Sequence, residues 1–309
     1  MPWHGYDAER RRRSLRVEHV SKTYPSGVRA LTDVSLSFER GLCALLGADG
    51  SGKSTLLHVI AALQPPDEGC VHFRDVDAVA HPHRLRRVVS CVMGDLQLVP
   101  VVPVRVALEH FARLQLSEGH VTGEPAPSAA DVESLLDRVG LTGCQAQHVG
   151  ELSLGMMRRL GIAVALVTNP ELLLLDEPLN GLTPDERSDL RALMVDIAQE
   201  MLVLFTTADP DDLTLQCAEV ALLCQGRLLL EGATDRIVDD LRGRVWLGTV
   251  PRGQLEAMSE QHEIVDATAV GDQVTVRVLS DEELGSRFTM VEPTLADAYW
   301  HLIDTAETK

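Results

Sequence analysis

Apolar residues along this chain switch repeatedly between two spacings. Residues 15–46 alternate in short runs, LRVEHV and ALTDVSLSF, broken by turn residues such as Pro25-Ser26-Gly27, the pattern of half-buried strands. They feed LCALL, Leu42 to Leu46, an unbroken apolar strand, and beyond a glycine-rich turn the run TLLHVIAAL takes the spacing of a helix. A short β-branched run follows at 88–93. The texture then becomes helical over 105–116 and 130–139, the two stretches joined by the loop SEGHVTGEPAPS. A third helix starts at Ser153, whose hydroxyl is suited to cap it, and runs through MRRLGIAVALV to Asn169-Pro170. ELLLLDEP, 171–178, is a continuous apolar strand ending in two carboxylates, and such a strand belongs in the middle of a parallel sheet. Further strands are predicted at 201–207 and in VALLCQGRLLLEG, with Gln225-Gly226 as a hairpin turn.

After about residue 240 the pattern changes. VWLGTV, HEIVDATAV and QVTVRVL read as three strands with a hairpin at Gly271-Asp272, followed by a helix, PTLADAYWHLI, with Leu295, Tyr299 and Leu302 on one face. The expected organisation is a tail over 1–14, an α/β domain over 15–240 with a helical insertion at about 103–168, and a small α+β domain over 241–309. Hydrophobic residues make up 45% of the chain but aromatics only 4%, so the core must be aliphatic. The formal charge of -18 argues against a general nucleic-acid binder, which needs a cationic surface to displace counterions. The dense basic run Arg10 to Arg13 reads as a solvated tail. Six scattered cysteines with no C-x-x-C pair read as free thiols of a reducing compartment, and neither a membrane span nor a signal peptide is expected.

The chemistry concentrates in GADGSGKST, residues 47–55, which fits G-x-x-x-x-G-K-[ST] between a strand and a helix. Gly47, Gly50 and Gly52 let the backbone curl so that the amides of Asp49, Ser51 and their neighbours converge with the helix N-terminus on a phosphate. Lys53 brings a positive charge to the β and γ phosphates; Ser54 is placed to ligate Mg²⁺, and Thr55 follows in the first turn. Asp176, at the C-terminal end of its strand, is suited to the Mg²⁺ hydration shell, and Glu177 to orienting or deprotonating water. These residues predict a P-loop NTPase fold that binds a nucleoside triphosphate.

The order of these motifs resembles the nucleotide-binding subunit of ATP-binding cassette transporters over roughly residues 15–235. The terminal VEPTLADAYWHL resembles the extension found on the bacterial drug- and polysaccharide-exporter branch. The resemblance implies an ATPase with ATP and Mg²⁺ bound at a dimer interface, partnered by a second nucleotide-binding subunit and an integral membrane permease, on the inner face of the cell membrane. It implies that Tyr24 stacks on adenine, an aromatic face being tolerant of the base it meets. LSLGM, 152–156, stands where the family carries LSGGQ, so Ser153 and Gly155 are implied to bind the γ-phosphate held by the other subunit. Four positions depart from the pattern: Leu154 replaces a glycine, Gly94 a glutamine, Thr183 an aspartate and Thr207 a histidine. A gapped register would let Gln97 replace the missing glutamine, and Thr207 and Asp95 are further substitutes. Removing one positioned transition-state donor costs about 2.7–4 kcal/mol, so slow hydrolysis is expected while ATP binding persists. Two other readings stay open: an ATP-gated module that regulates a membrane complex without hydrolysis, and a cassette ATPase acting on ribosomes or DNA.

Overall fold

The computed structural model describes residues 15–94, 99–117, 129–213 and 217–307. The expected N-terminal tail, with its arginine run, and two of the three substitutes, Asp95 and Gln97, lie outside the described residues.

An antiparallel sheet is built from β1 (Leu15–Thr23), β2 (Arg29–Phe38), β4 (Glu68–Phe73) and β5 (Val76–Asp77), in the order β2-β1-β4-β5. The central sheet contains β3 (Leu42–Leu46), β6 (Val89–Val92), β7 (Leu172–Leu175), β8 (Leu202–Thr207), β9 (Glu219–Cys224) and β10 (Arg227–Ala233), in the order β10-β9-β3-β8-β7-β6. It is parallel except for the antiparallel β9–β10 hairpin. The strand ending in Asp176-Glu177 therefore sits next to the edge strand, and the middle belongs to β3 and β8. All four residues of β7 are nonetheless buried, because both faces of the sheet are covered.

The alternation of strand side chains explains how one sheet serves two cores. Cys43, Leu45, Leu172, Leu174, Leu202 and Leu204 face the antiparallel sheet and helix α1 (Lys53–Ile60), with Phe38 and Phe73 filling the space between. Ala44, Leu46, Leu173, Leu175, Val203 and Phe205 face the other way. Against them lie α2 (Val104–Ser117), α3 (Ala129–Arg138), α4 (Leu154–Leu166) and α5 (Pro184–Ile197), through Leu108, Leu136, Leu160 and Leu190 among others. Truncating one such buried leucine to alanine costs about 2–5 kcal/mol.

The C-terminal sheet has the order β12-β13-β11-β14, from β11 (Val245–Pro251), β12 (Glu263–Val270), β13 (Gln273–Leu279) and β14 (Phe288–Met290). Val270 pairs with Gln273 across the Gly271-Asp272 turn, as the sequence pattern requires. The last helix, α6 (Leu295–Glu307), buries Leu295, Ala298 and Tyr299 in the same apolar cluster as Leu213, Cys217 and Ile237. Val250, Val274, Val276 and Val278 form a smaller core of their own.

Candidate functional site

The phosphate loop leaves β3 at Leu46 and is tied at once to the neighbouring strand, the Gly47 amide donating to the Thr207 carbonyl at 3.2 Å. Gly52 has φ +106°, and a β-carbon there would stand 2.5 Å from the Ala30 carbonyl, so the turn into α1 requires glycine. Lys53 is 4% exposed. Its ammonium donates to the Gly47 carbonyl at 2.7 Å and the Ala48 carbonyl at 3.1 Å, and lies 3.3 Å from Glu177 Oε1. The loop suits a polyphosphate on its own geometry. Ser51 Oγ is buried without a hydrogen-bond partner, while nothing stands within 4 Å of the position a β-carbon on Gly50 would take. Ser54 is exposed in the first turn of α1, and Asp176 ends a strand two places along the sheet; both offer the hard oxygen ligands Mg²⁺ prefers.

Thr206 organises the two carboxylates. It is fully buried; its hydroxyl donates to Asp176 Oδ1 at 2.7 Å and accepts the Glu177 amide at 2.8 Å. Glu177 has φ +46°, in the left-handed region, a conformation costing on the order of 1–3 kcal/mol that its surroundings must hold in place. Its Oε2 accepts from Asn180 Nδ2 at 3.3 Å, and with the Lys53 contact on Oε1 this aims the carboxylate across the loop. A cavity of about 210 Å³ joins Asp49 of the phosphate loop to Glu177, Thr206, Ala208 and Arg187.

Tyr24 follows β1 directly and lies beside α1, its hydroxyl 3.1 Å from Thr55 Oγ1 and 3.3 Å from Gln64 Nε2. The hydrogen bond with Thr55, more than that with Gln64, lowers the phenol below its ordinary value. The β1–β2 turn thus brings an aromatic ring to the phosphate-loop helix.

Thr207 lines the same cavity, with its hydroxyl engaged by neighbouring residues. Successive strand residues point to opposite faces, and Thr207 Oγ1 donates to the buried Asp212 at 2.7 Å and accepts the Asp209 amide at 3.0 Å. Burial raises the Asp212 carboxyl against the opposing pull of Thr207 and Arg187, and Arg187 and Arg191 lie 3.2 and 3.5 Å from its Oδ1. Thr183 caps α5 in a capping box with Glu186, its hydroxyl accepting the Glu186 amide at 3.4 Å. Gly94 contributes a carbonyl, which accepts from Arg158 at 3.2 Å.

Ser153 caps α4 as expected, accepting the Met156 amide at 3.3 Å, but its own hydroxyl proton goes to Glu186 Oε1 at 2.6 Å. The Gly155 amide points to the same oxygen at 3.3 Å. Leu154, 38% exposed, extends toward Gly181; its Cδ2 lies 3.2 Å from where a β-carbon there would stand. The phosphate loop, Asp176, Glu177 and Tyr24 are thus gathered around one end of the central sheet, whereas Ser153 and Gly155 make their contacts at the start of α5. Sequence reasoning missed Thr206 and Glu186. For Thr206 the only local signal was the adjacent pair of threonines.

The sequence pattern of the ABC transporter family matches residues 31–180. The chain is 33% identical to the sulfate/thiosulfate import ATP-binding protein CysA of Halalkalibacterium halodurans, over 73% of this chain and 63% of that protein. It is 35% identical to a putative ABC transporter ATP-binding protein of Listeria monocytogenes, over 72% of this chain and 83% of the relative. Among solved structures it resembles cbiO1 of Clostridium perfringens, part of the ABC transporter complex cbiONQ. The TM-score is 0.62 and the identity 27%, covering 73% of this chain and 90% of that one. With a P-loop cassette fold and this degree of likeness along most of a relative's length, the chain belongs to the ATP-binding proteins of the ABC transporter family.

Proposed function

We propose that this chain hydrolyses MgATP as the ATP-binding subunit of a membrane transporter, pairing with a second nucleotide-binding subunit and driving a separate integral membrane permease. The observation that carries the reading is the convergence of Lys53, Glu177 and, through Thr206, Asp176 at one end of the sheet. In this reading Tyr24 meets the adenine, and the loop from Gly47 to Thr55 holds the phosphates. Ser54 and Asp176 hold Mg²⁺, and Glu177 takes the proton of the attacking water. Ser153 and Gly155 complete the γ-phosphate site of the opposite subunit. The protein works on the cytoplasmic face of the membrane, and nucleic acid is no partner. Among the described residues, no helix is long and apolar enough to cross a bilayer.

Hydrolysis is slow in this reading, since Gly94 offers no side chain and Thr207 is bonded to Asp212. The same two observations favour a second reading, a nucleotide-gated module that closes on ATP without useful turnover. Export is the direction we propose, supported by the terminal VEPTLADAYWHL; import is the alternative, favoured by the sulfate/thiosulfate importer among the relatives. The test is phosphate release by the chain co-purified with its membrane partner, with Lys53→Ala as the non-binding control. Release that falls in Glu177→Gln supports the enzyme, and equal release in wild type and Glu177→Gln leaves the module. Absence of ATP binding, or of any membrane protein partner, overturns both. Uptake measured in inverted against right-side-out vesicles decides direction.

A further inference from the structure

Glu186 holds a position the transport reading does not use. Its carboxylate spans two helix starts: Oε1 accepts from the Ser153 hydroxyl at 2.6 Å and the Gly155 amide at 3.3 Å, while Oε2 accepts from the Thr183 amide and hydroxyl, each at 3.2 Å. These donors hold the carboxyl below its ordinary range, the Ser153 bond most of all. A β-carbon on Gly155 would stand 2.9 Å from Cγ, Cδ and Oε1 of Glu186, so the bare backbone at 155 is what admits this side chain. A serine hydroxyl and a glycine amide at the start of a long helix are the donors a phosphate oxygen would use, and here they already bind an anion.

We infer that Glu186 is an internal stand-in for phosphate, a gating residue that occupies the Ser153–Gly155 site until the γ-phosphate of ATP on the partnering subunit displaces it. The inference rests on the reading of Ser153 and Gly155 as that phosphate's contact. Two anions cannot share these donors, because each has one proton to give and like charges at contact distance repel. Displacement does not break the α5 cap. Oε2 keeps its bonds to Thr183 when the other oxygen leaves Ser153, so the switch needs a side-chain rotation and no helix unwinding. Arg187, the next residue along α5, is engaged with Asp209 and Asp212. The state without ATP is therefore the bridged one, and Glu186 sets how much ATP is required to close the dimer.

The experiment is sedimentation velocity of the full chain over a MgATP titration, for wild type, Glu186→Gln and Glu186→Ala, with ATP occupancy of the monomer measured by equilibrium dialysis. Glutamine retains the capping-box shape but not the charge, so it covers the case in which alanine unsettles α5. The expected result is dimer formation at about tenfold lower ATP in Glu186→Gln, the weight of one charge-assisted hydrogen bond, with monomer ATP affinity unchanged. Dimerisation unchanged or weakened in both variants, in a wild type that does dimerise, overturns the gate and leaves the site reading intact. A wild type and variants that bind ATP yet stay monomeric overturn the site reading and the gate together.

Discussion

Thr206 donates its hydroxyl proton to Asp176 at 2.7 Å, and the same oxygen accepts the Glu177 amide at 2.8 Å, so one buried side chain on β8 sets both acidic residues at the end of β7. Thr206→Val keeps the shape and removes the hydroxyl. The Glu177 amide then loses its partner next to a residue already in the left-handed region, and stability is expected to fall by about 1–3 kcal/mol. Phosphate release is expected to fall tenfold or more, because Glu177 is no longer held against its backbone preference, while ATP binding, which depends on the phosphate loop, changes little. Thr206→Ser restores both. Urea denaturation and phosphate release on the same preparations check it, and a release rate equal to wild type in Thr206→Val would show that the carboxylates are positioned by other contacts.

Lys53 and Glu177 are 3.3 Å apart with Lys53 almost wholly buried, so changing either one disturbs the other. Lys53→Ala removes the cation and is expected to abolish measurable ATP binding. Glu177→Gln keeps an acceptor for Lys53 and Asn180, so ATP binding is expected within a few-fold of wild type, with phosphate release lower by about 10² or more. Equilibrium dialysis with labelled ATP separates the two outcomes, and Glu177→Gln losing ATP binding as completely as Lys53→Ala would mean that the carboxylate acts chiefly by holding the loop.

Several of these contacts follow local rules and were legible in the sequence. The phosphate loop sits between a strand and a helix, and Ser153 caps a helix whose limits, Leu154–Leu166, follow its apolar spacing. The Gly271-Asp272 turn fixes the β12–β13 register. What was not legible depends on distance along the chain or on a choice between neighbours. Glu186 reaches Ser153 across 33 positions, and nothing in DERSD marks it as more than a helix first turn. Thr206 and Thr207 differ in which face of β8 they occupy, and only the fold shows that Thr206 meets the two carboxylates while Thr207 meets Asp212. The continuous apolar run of β7 announces burial on both faces but not its rank in the sheet. The β14 strand, Phe288–Met290, is too short to show an alternation.

Glu219 lies among acidic neighbours at the far side of the central sheet. Burial, more than the nearby charges of Glu39 and Glu231, raises its carboxyl above the ordinary range, although its Oε2 accepts the Glu39 amide at 2.7 Å. A carboxyl raised on folding binds its proton more tightly in the native state than in the unfolded one. Stability therefore falls as pH rises from the unfolded value through the folded one, and the deficit persists above it. Glu219→Gln keeps an acceptor for the Glu39 amide and removes the titration. The variant is expected to melt above wild type at neutral pH, with the difference vanishing below the unfolded glutamate value. Melting curves across that range check the sign, and a variant less stable than wild type at neutral pH would mean the charge is compensated.

Asp297, only 1% exposed, joins the C-terminal helix to the sheet beneath it. Arg277 on β13 donates from Nε to Oδ1 and from Nη2 to Oδ2, each at 2.7 Å, and the Thr294 amide and hydroxyl add bonds to Oδ2 at 2.7 and 2.9 Å. Both carboxylate oxygens are satisfied, and the hydrogen bonds to Asp297 raise the Arg277 guanidinium above its ordinary value. Asp297→Ala leaves that guanidinium without its main partner and the helix start without its acceptor, a loss expected to cost about 3–5 kcal/mol, as when one member of a buried pair is removed. Asp297→Asn keeps one acceptor oxygen and is expected to recover part of it. Because Leu295, Ala298 and Tyr299 of the same helix belong to the apolar cluster that covers the central sheet, the damage should not stay in the last sheet. Asp297→Ala is expected to unfold in a single transition at lower denaturant, with the cassette and the C-terminal sheet lost together. Calorimetry resolving two transitions, with only the first displaced, would show instead that the C-terminal unit comes away alone.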